Sequence, residues 1–189
     1  MALPKENVRY SYADYRKWDE NVRVELINGL VYDMTPAPSR KHQKILRELS
    51  TEFSQFLRNK SCEVYFAPFD VRLFSENKDD KDILDVVQPD LTVICDKSKL
   101  DDHGCNGSPD FILEILSPSN TNYDRWTKYK TYEKAGVREY WIVDPFYETV
   151  EVFLLEDGFY RLSGVYSKED AVPVNVVEGL EIELQKVFI

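Results

Sequence analysis

The sequence predicts a single domain of the α/β (α+β) class, and three observations carry that reading. Residues 111–116 and 139–144 are short apolar runs separated by a helical stretch. Strand, helix and strand joined by short links form a crossover unit, whose strands lie parallel or as near neighbours. Asn28-Gly29 separates two further apolar runs, the strongest local hairpin signal, because a type I′ turn needs positive φ twice. Beyond Asp144-Pro145 the chain reads as antiparallel strands turning at Asp157-Gly158. At 189 residues one domain with a substantial core is expected over residues 1–189.

Composition narrows the function classes. The chain is 43% hydrophobic and 31% charged, as an ordinary globular protein is. No apolar run reaches the ~18 residues of a spanning helix, and the N-terminal stretch has no apolar signal-peptide core. Three cysteines (Cys62, Cys95, Cys105) without CxxC spacing fit a reducing cytoplasm and argue against disulfides. Two histidines are too few for most zinc sites, so a metal here would be oxygen-bound, Mg²⁺ or Mn²⁺. A net charge of −10 weighs against a broad nucleic-acid-coating surface but leaves room for a local basic strip.

In chain order, residues 8–20 suggest a short helix packing Tyr12, Tyr15 and Trp18. The hairpin over 22–34 carries Glu25 in its first strand, either an exposed strand glutamate or a site residue. A loop from Pro36 feeds a helix over 41–60, whose Ile45, Leu46, Leu49, Phe53, Phe56 and Leu57 repeat at three and four to make one core face. His42 sits in its first turn. Three strands are expected next, at 63–74, 86–96 and 111–116, separated by a charged loop at 75–85 and a polar loop at 97–108. Asp70 shares a face with Arg72 in the first of these, Asp90 opens the second after Pro89, and Glu114 lies in the third.

Glu114 is the costly residue. It stands inside Phe-Ile-Leu-Glu-Ile-Leu and shares a face with Ile112 and Leu116, so its carboxylate needs a compensating cation or basic side chain. After the polar break at Ser117-Pro118-Ser119, the helix near 122–135 places Trp126, Tyr129 and Tyr132 on an apolar stripe. Lys128 falls at its inward edge, whereas Lys130 and Lys134 face water; Gly136 ends the helix.

Asp70, Asp90 and Glu114 thus stand on consecutive strands, and neighbouring strands about 4.8 Å apart let carboxylates at matched heights reach one ion. Asp110 is four residues from Glu114, roughly 13 Å along the strand, too far to share it. Spacing alone equally allows Glu114 and Lys128 to be a buried ion pair with no reaction attached.

The segments VELINGLVYDM, VQPDLTVICD, PDFILEILSPSN and DRWTKYKTYEKAGVREYWIVDP together resemble the restriction-endonuclease family called Uma-two, within the PD-(D/E)XK nuclease superfamily. The resemblance runs from about residue 12 to residue 160. It implies a restriction-endonuclease-like mixed central sheet flanked by helices, an Mg²⁺-type site and phosphodiester hydrolysis, with DNA as the substrate. Carried over, Asp90 and Glu114 are metal ligands, Lys128 the assisting lysine, and Glu25 and Asp70 auxiliary acids, with His42 a further auxiliary candidate. One position departs: the lysine expected two residues after the glutamate is Leu116, and Lys128 matches the arrangement in which it has moved to the following helix. A homodimer is expected if two strands are cut. The rival reading is a catalytically silent nuclease fold that binds nucleic acid or a protein.

Overall fold

The two long strands expected at 63–74 and 86–96 each break in the middle, and each passes from one sheet to another. The computed structural model describes residues 8–19, 22–34, 37–117 and 123–189. Part of the Pro36 loop and part of the break at Ser117-Pro118-Ser119 lie outside them. Within them two six-stranded sheets form. The first has β1 (Val24–Ile27), β2 (Leu30–Asp33), β4 (Val71–Leu73), β5 (Asp85–Val87), β7 (Leu100–Asp101) and β8 (Gly104–Asn106), in the order β2-β1-β5-β4-β8-β7. The second has β3 (Glu63–Phe66), β6 (Leu91–Ile94), β9 (Phe111–Ile115), β10 (Glu139–Asp144), β11 (Thr149–Glu156) and β12 (Phe159–Ser167), in the order β12-β11-β10-β9-β6-β3. A small antiparallel pair, β13 (Ala171–Pro173) and β14 (Glu181–Glu183), follows.

Local chemistry explains the elements. Asn28 and Gly29 both adopt positive φ, 57° and 77°, as the β1–β2 turn requires. Pro89 has no N–H to give a ladder, so the chain leaves the first sheet after β5 and re-enters pairing at β6. Helix α1 (Tyr12–Tyr15) is shorter than expected, yet it buries Tyr12. Helix α2 (Arg40–Leu57) buries His42, Ile45, Leu46, Leu49, Phe53 and Leu57 on one face, as its periodicity predicts. The crossover holds: β9 and β10 are parallel neighbours joined through α3 (Tyr129–Ala135). Gly136 closes α3 in the left-handed conformation, φ 82°.

The second sheet is covered on both faces. Phe111, Leu113 and Ile115 of β9 point into a core shared with α2 and with the final helix α4 (Leu184–Val187). Ile112 and Leu116 point the other way, toward a core containing Val71 and Leu73 of the first sheet and Tyr132 of α3. Glu114 has their parity, so it faces the region between the two sheets.

Three expectations are corrected. Cys62 and Cys95 form a disulfide; β3 and β6 pair Glu63 with Ile94, and one further step of that antiparallel register sets the two cysteines opposite each other. Trp126 is 71% exposed instead of joining the apolar stripe. Residues Tyr123–Lys128 form a π-helical turn, and its i→i+5 bonding shifts side-chain phase from the 3.6-residue spacing that the stripe assumed. The polar stretch at 97–108 is partly strand, since β7 and β8 pair antiparallel within it.

Candidate active site

A cleft of about 650 Å³ opens between the two sheets and the start of α2. Glu25, His42, Asp90, Glu114 and Lys128 all line it; Asp70 does not. Each comes from a different element, which is why no sequence window shows the set.

Asp90 and Glu114 are cross-strand neighbours. β6 and β9 pair antiparallel with Leu91 opposite Leu113, and the next step of that register sets Asp90 opposite Glu114. The Asp90 carboxylate is fixed through one oxygen. The Ile115 N–H donates to Oδ2 at 2.8 Å, and His42 Nε2 lies 3.1 Å from the same atom. His42 is placed by the helix start, where Ser39 Oγ accepts from the His42 N–H at 3.2 Å. Among the described residues, the buried His42 Nδ1 has no hydrogen-bond partner.

The buried charge of Glu114 is compensated by Lys128. Lys128 Nζ donates to Glu114 Oε1 at 2.9 Å and lies 3.0 Å from Glu25 Oε1. All three are nearly inaccessible, at 4%, 4% and 1% exposure respectively for Lys128, Glu114 and Glu25. The Gln88 N–H donates to Glu25 Oε1 at 2.8 Å, and the Tyr132 hydroxyl donates to Glu114 Oε1 at 2.7 Å. Burial, and then the charges of Glu114 and Glu25, hold the Tyr132 phenol well above its usual value, so it stays a donor.

Asp70 belongs to a neighbouring cleft. Its Oδ1 accepts from the Tyr15 hydroxyl at 3.1 Å and from Gln88 Nε2 at 2.8 Å. Gln88 therefore links the two clefts, backbone toward Glu25 and side chain toward Asp70. Two contributors escaped the sequence reading. In the sequence Tyr132 reads as part of the apolar stripe, although its place one turn after Lys128 on the same face is a usable signal. Gln88 offered none, because its role depends on where the chain changes sheets.

Among the described residues, no group of three or more His, Cys, Asp or Glu side chains is arranged to hold a metal ion. Mg²⁺ does not require one: it is commonly held by one or two carboxylates, completed by water and substrate phosphate. Asp90, at the entry to β6, and Glu114, on the neighbouring β9, offer hard oxygen donors of that kind. With four carboxylates (Glu25, Asp33, Asp90, Glu114) against the cationic Lys128 and Arg23, the cleft carries an excess of negative charge that fits a divalent cation.

Comparison with known proteins bears on the family and the fold. The model of the Uma2 family, described as "Putative restriction endonuclease", matches residues 12–185. The chain belongs to the Uma2 family. A relative from Synechocystis sp. (strain ATCC 27184 / PCC 6803 / Kazusa), "Uncharacterized protein slr1290", is 25% identical over 183 residues, covering 95% of this chain and 92% of the relative. A crystal structure described as "a putative nuclease belonging to DUF820", from Anabaena variabilis ATCC 29413, superposes with a TM-score of 0.74. It is 20% identical, and the match covers 94% of this chain and 97% of that one, so it shows a shared fold. Uma2 membership supports a nuclease function for the chain. No helix among the described residues is long and apolar enough to cross a membrane.

Proposed function

We propose that this Uma2 protein is a Mg²⁺- or Mn²⁺-dependent endonuclease that hydrolyses phosphodiester bonds in DNA. The observation that carries the reading is the cross-strand placement of Asp90 and Glu114 at the cleft, with the Lys128 ammonium on Glu114.

Asp90 and Glu114 would hold the cation, which when bound supplies a Lewis acid at the phosphate and a water acidified toward neutral pH. The chain's own groups do the positioning. His42 and the Ile115 N–H keep the Asp90 carboxylate in one orientation. Lys128 presents fixed positive charge where negative charge develops on the phosphoryl oxygens. Glu25 and Glu114 hold that ammonium from two sheets, so it needs no reorganisation when the phosphate arrives. Two strands of a duplex call for two such sites, and a homodimer supplies them.

The test is Mn²⁺ titration by calorimetry, with and without a short DNA duplex, beside nicking of supercoiled plasmid. The wild-type protein is expected to bind Mn²⁺ and nick the plasmid, and folded Asp90→Asn and Glu114→Gln variants to do neither. A Glu114→Gln variant that cuts at the wild-type rate overturns the assignment. A wild-type protein that binds duplex but neither Mn²⁺ nor cuts is a silent binding fold.

A further inference from the structure

A second cleft of about 750 Å³ opens beside the first, and its wall adds aromatic rings to charged side chains. Tyr15, Trp18, Tyr65 and Phe69 line it, none of them fully buried. The Tyr65 and Phe69 rings lie nearly parallel, 11° apart with centroids at 4.3 Å, and Tyr15 stands 5.7 Å from Trp18. Asp70 supplies a polar group among these rings. Its Oδ1 is spent on Tyr15 and Gln88, and among the described residues nothing donates to Oδ2.

The cleft is built by close backbone approach. Gly104, at φ 120°, lines it, and a Cβ there would fall 2.1 Å from the Asp70 carbonyl oxygen. Only glycine lets the β7–β8 turn press onto Asp70 this closely.

The two clefts share Arg23, Pro68 and Gln88. Arg23 is exposed, and its guanidinium makes no hydrogen bond or ion pair with the described residues. Aromatic faces, an acceptor, and a cation on the side toward Lys128 match the parts of one nucleotide. The faces stack a neutral ring, the acceptor meets a ring amino group, and the cation meets a phosphate. Asp19, Asp101 and Asp102 also line the cleft, and its Arg16 is paired with Asp80, which disfavours phosphate inside and favours it at the Arg23 rim.

We infer that this second cleft holds the nucleobase next to the scissile phosphate, taken out of its stack, with Asp70 accepting from the base's amino group and Arg23 on the intervening phosphate. This rests on the proposed nuclease function and narrows its substrate to DNA with unpaired nucleotides beside the cut. A base leaves a stack most readily where it is already unpaired.

Fluorescence anisotropy in EDTA tests it without cleavage, using labelled short oligodeoxycytidine, oligodeoxythymidine and a blunt duplex. Oligodeoxycytidine, whose base carries an amino donor, is expected to bind more tightly than oligodeoxythymidine or the duplex. Phe69→Leu and Trp18→Leu keep apolar bulk and remove the ring, and each is expected to weaken single-strand binding about tenfold. Asp70→Asn is expected to abolish the preference for cytidine over thymidine. Equal binding of duplex and single strand, or wild-type affinity in the two leucine variants with melting unchanged, overturns the inference. The two proposals fail separately. Wild-type protein with this binding pattern that cuts no DNA with Mn²⁺ removes the nuclease reading and keeps the base site. Cleavage alongside unaltered binding in the variants removes the base site and keeps the nuclease.

Discussion

Glu25 and Glu114 come from different sheets and meet at one atom, Lys128 Nζ, 3.0 and 2.9 Å away. A single ammonium thereby ties the hairpin of the first sheet, the central strand of the second and the crossover helix together.

Removing that ammonium leaves two buried carboxylates facing each other. Lys128→Met is therefore expected to destabilise the protein by about 3–5 kcal/mol. Adding Glu25→Gln and Glu114→Gln to the same chain is expected to recover most of the loss, since the stranded charges disappear. Urea unfolding of the single and triple variants checks this. A single variant costing under about 1 kcal/mol would contradict a buried, mutually dependent set.

Tyr132→Phe deletes one donor to Glu114 and keeps the ring in its core. The Lys128 bond to the same oxygen remains, so the expected cost is modest, about 1.5–3 kcal/mol for a hydrogen bond to a charged group. Thermal melting measures it. Nicking activity measured on the same sample shows whether Glu114 must be held from both sides.

Asp70 yields a pH-dependent expectation. Burial holds its carboxyl above the usual 3.8, against the lowering effect of hydrogen bonds from Gln88 and Tyr15. With the folded value raised, its contribution to stability is fully present below 3.8 and is lost as pH rises through the folded value. Asparagine cannot ionise, and its carbonyl oxygen can accept both bonds now made by Oδ1. Asp70→Asn is expected to be more stable than wild type near pH 7 and to lose that advantage below about pH 3. Urea midpoints at the two pH values decide it, and a variant less stable than wild type near neutrality would refute it.

The Cys62–Cys95 bond closes a loop with a sequence separation of 33. Chain entropy then predicts that it contributes about 3–4 kcal/mol. A Cys62→Ser/Cys95→Ser variant is expected to unfold at lower urea than oxidised wild type and together with dithiothreitol-treated wild type. Mass spectrometry of alkylated protein counts the free thiols; three in the non-reduced protein would show that the bond does not form.

Much of this was legible in the sequence because the signals are local. A glutamate inside an apolar strand must be compensated, and the face of the following helix singles out Lys128 as the inward lysine. The Asn28-Gly29 turn, the apolar face of α2 and the parallel β9–β10 crossover follow from φ preference and periodicity in the same way. Only the tertiary structure decided that 63–74 and 86–96 are each two strands in two sheets, because alternation reads the same in a continuous strand as in a broken one. That break sends Asp70 to the aromatic cleft and Asp90 to Glu114, and it makes Gln88 the link between them. The meeting of Glu25 with Lys128, and of Cys62 with Cys95, likewise depends on which backbone edges pair, and pairing is settled by packing between segments distant in the chain.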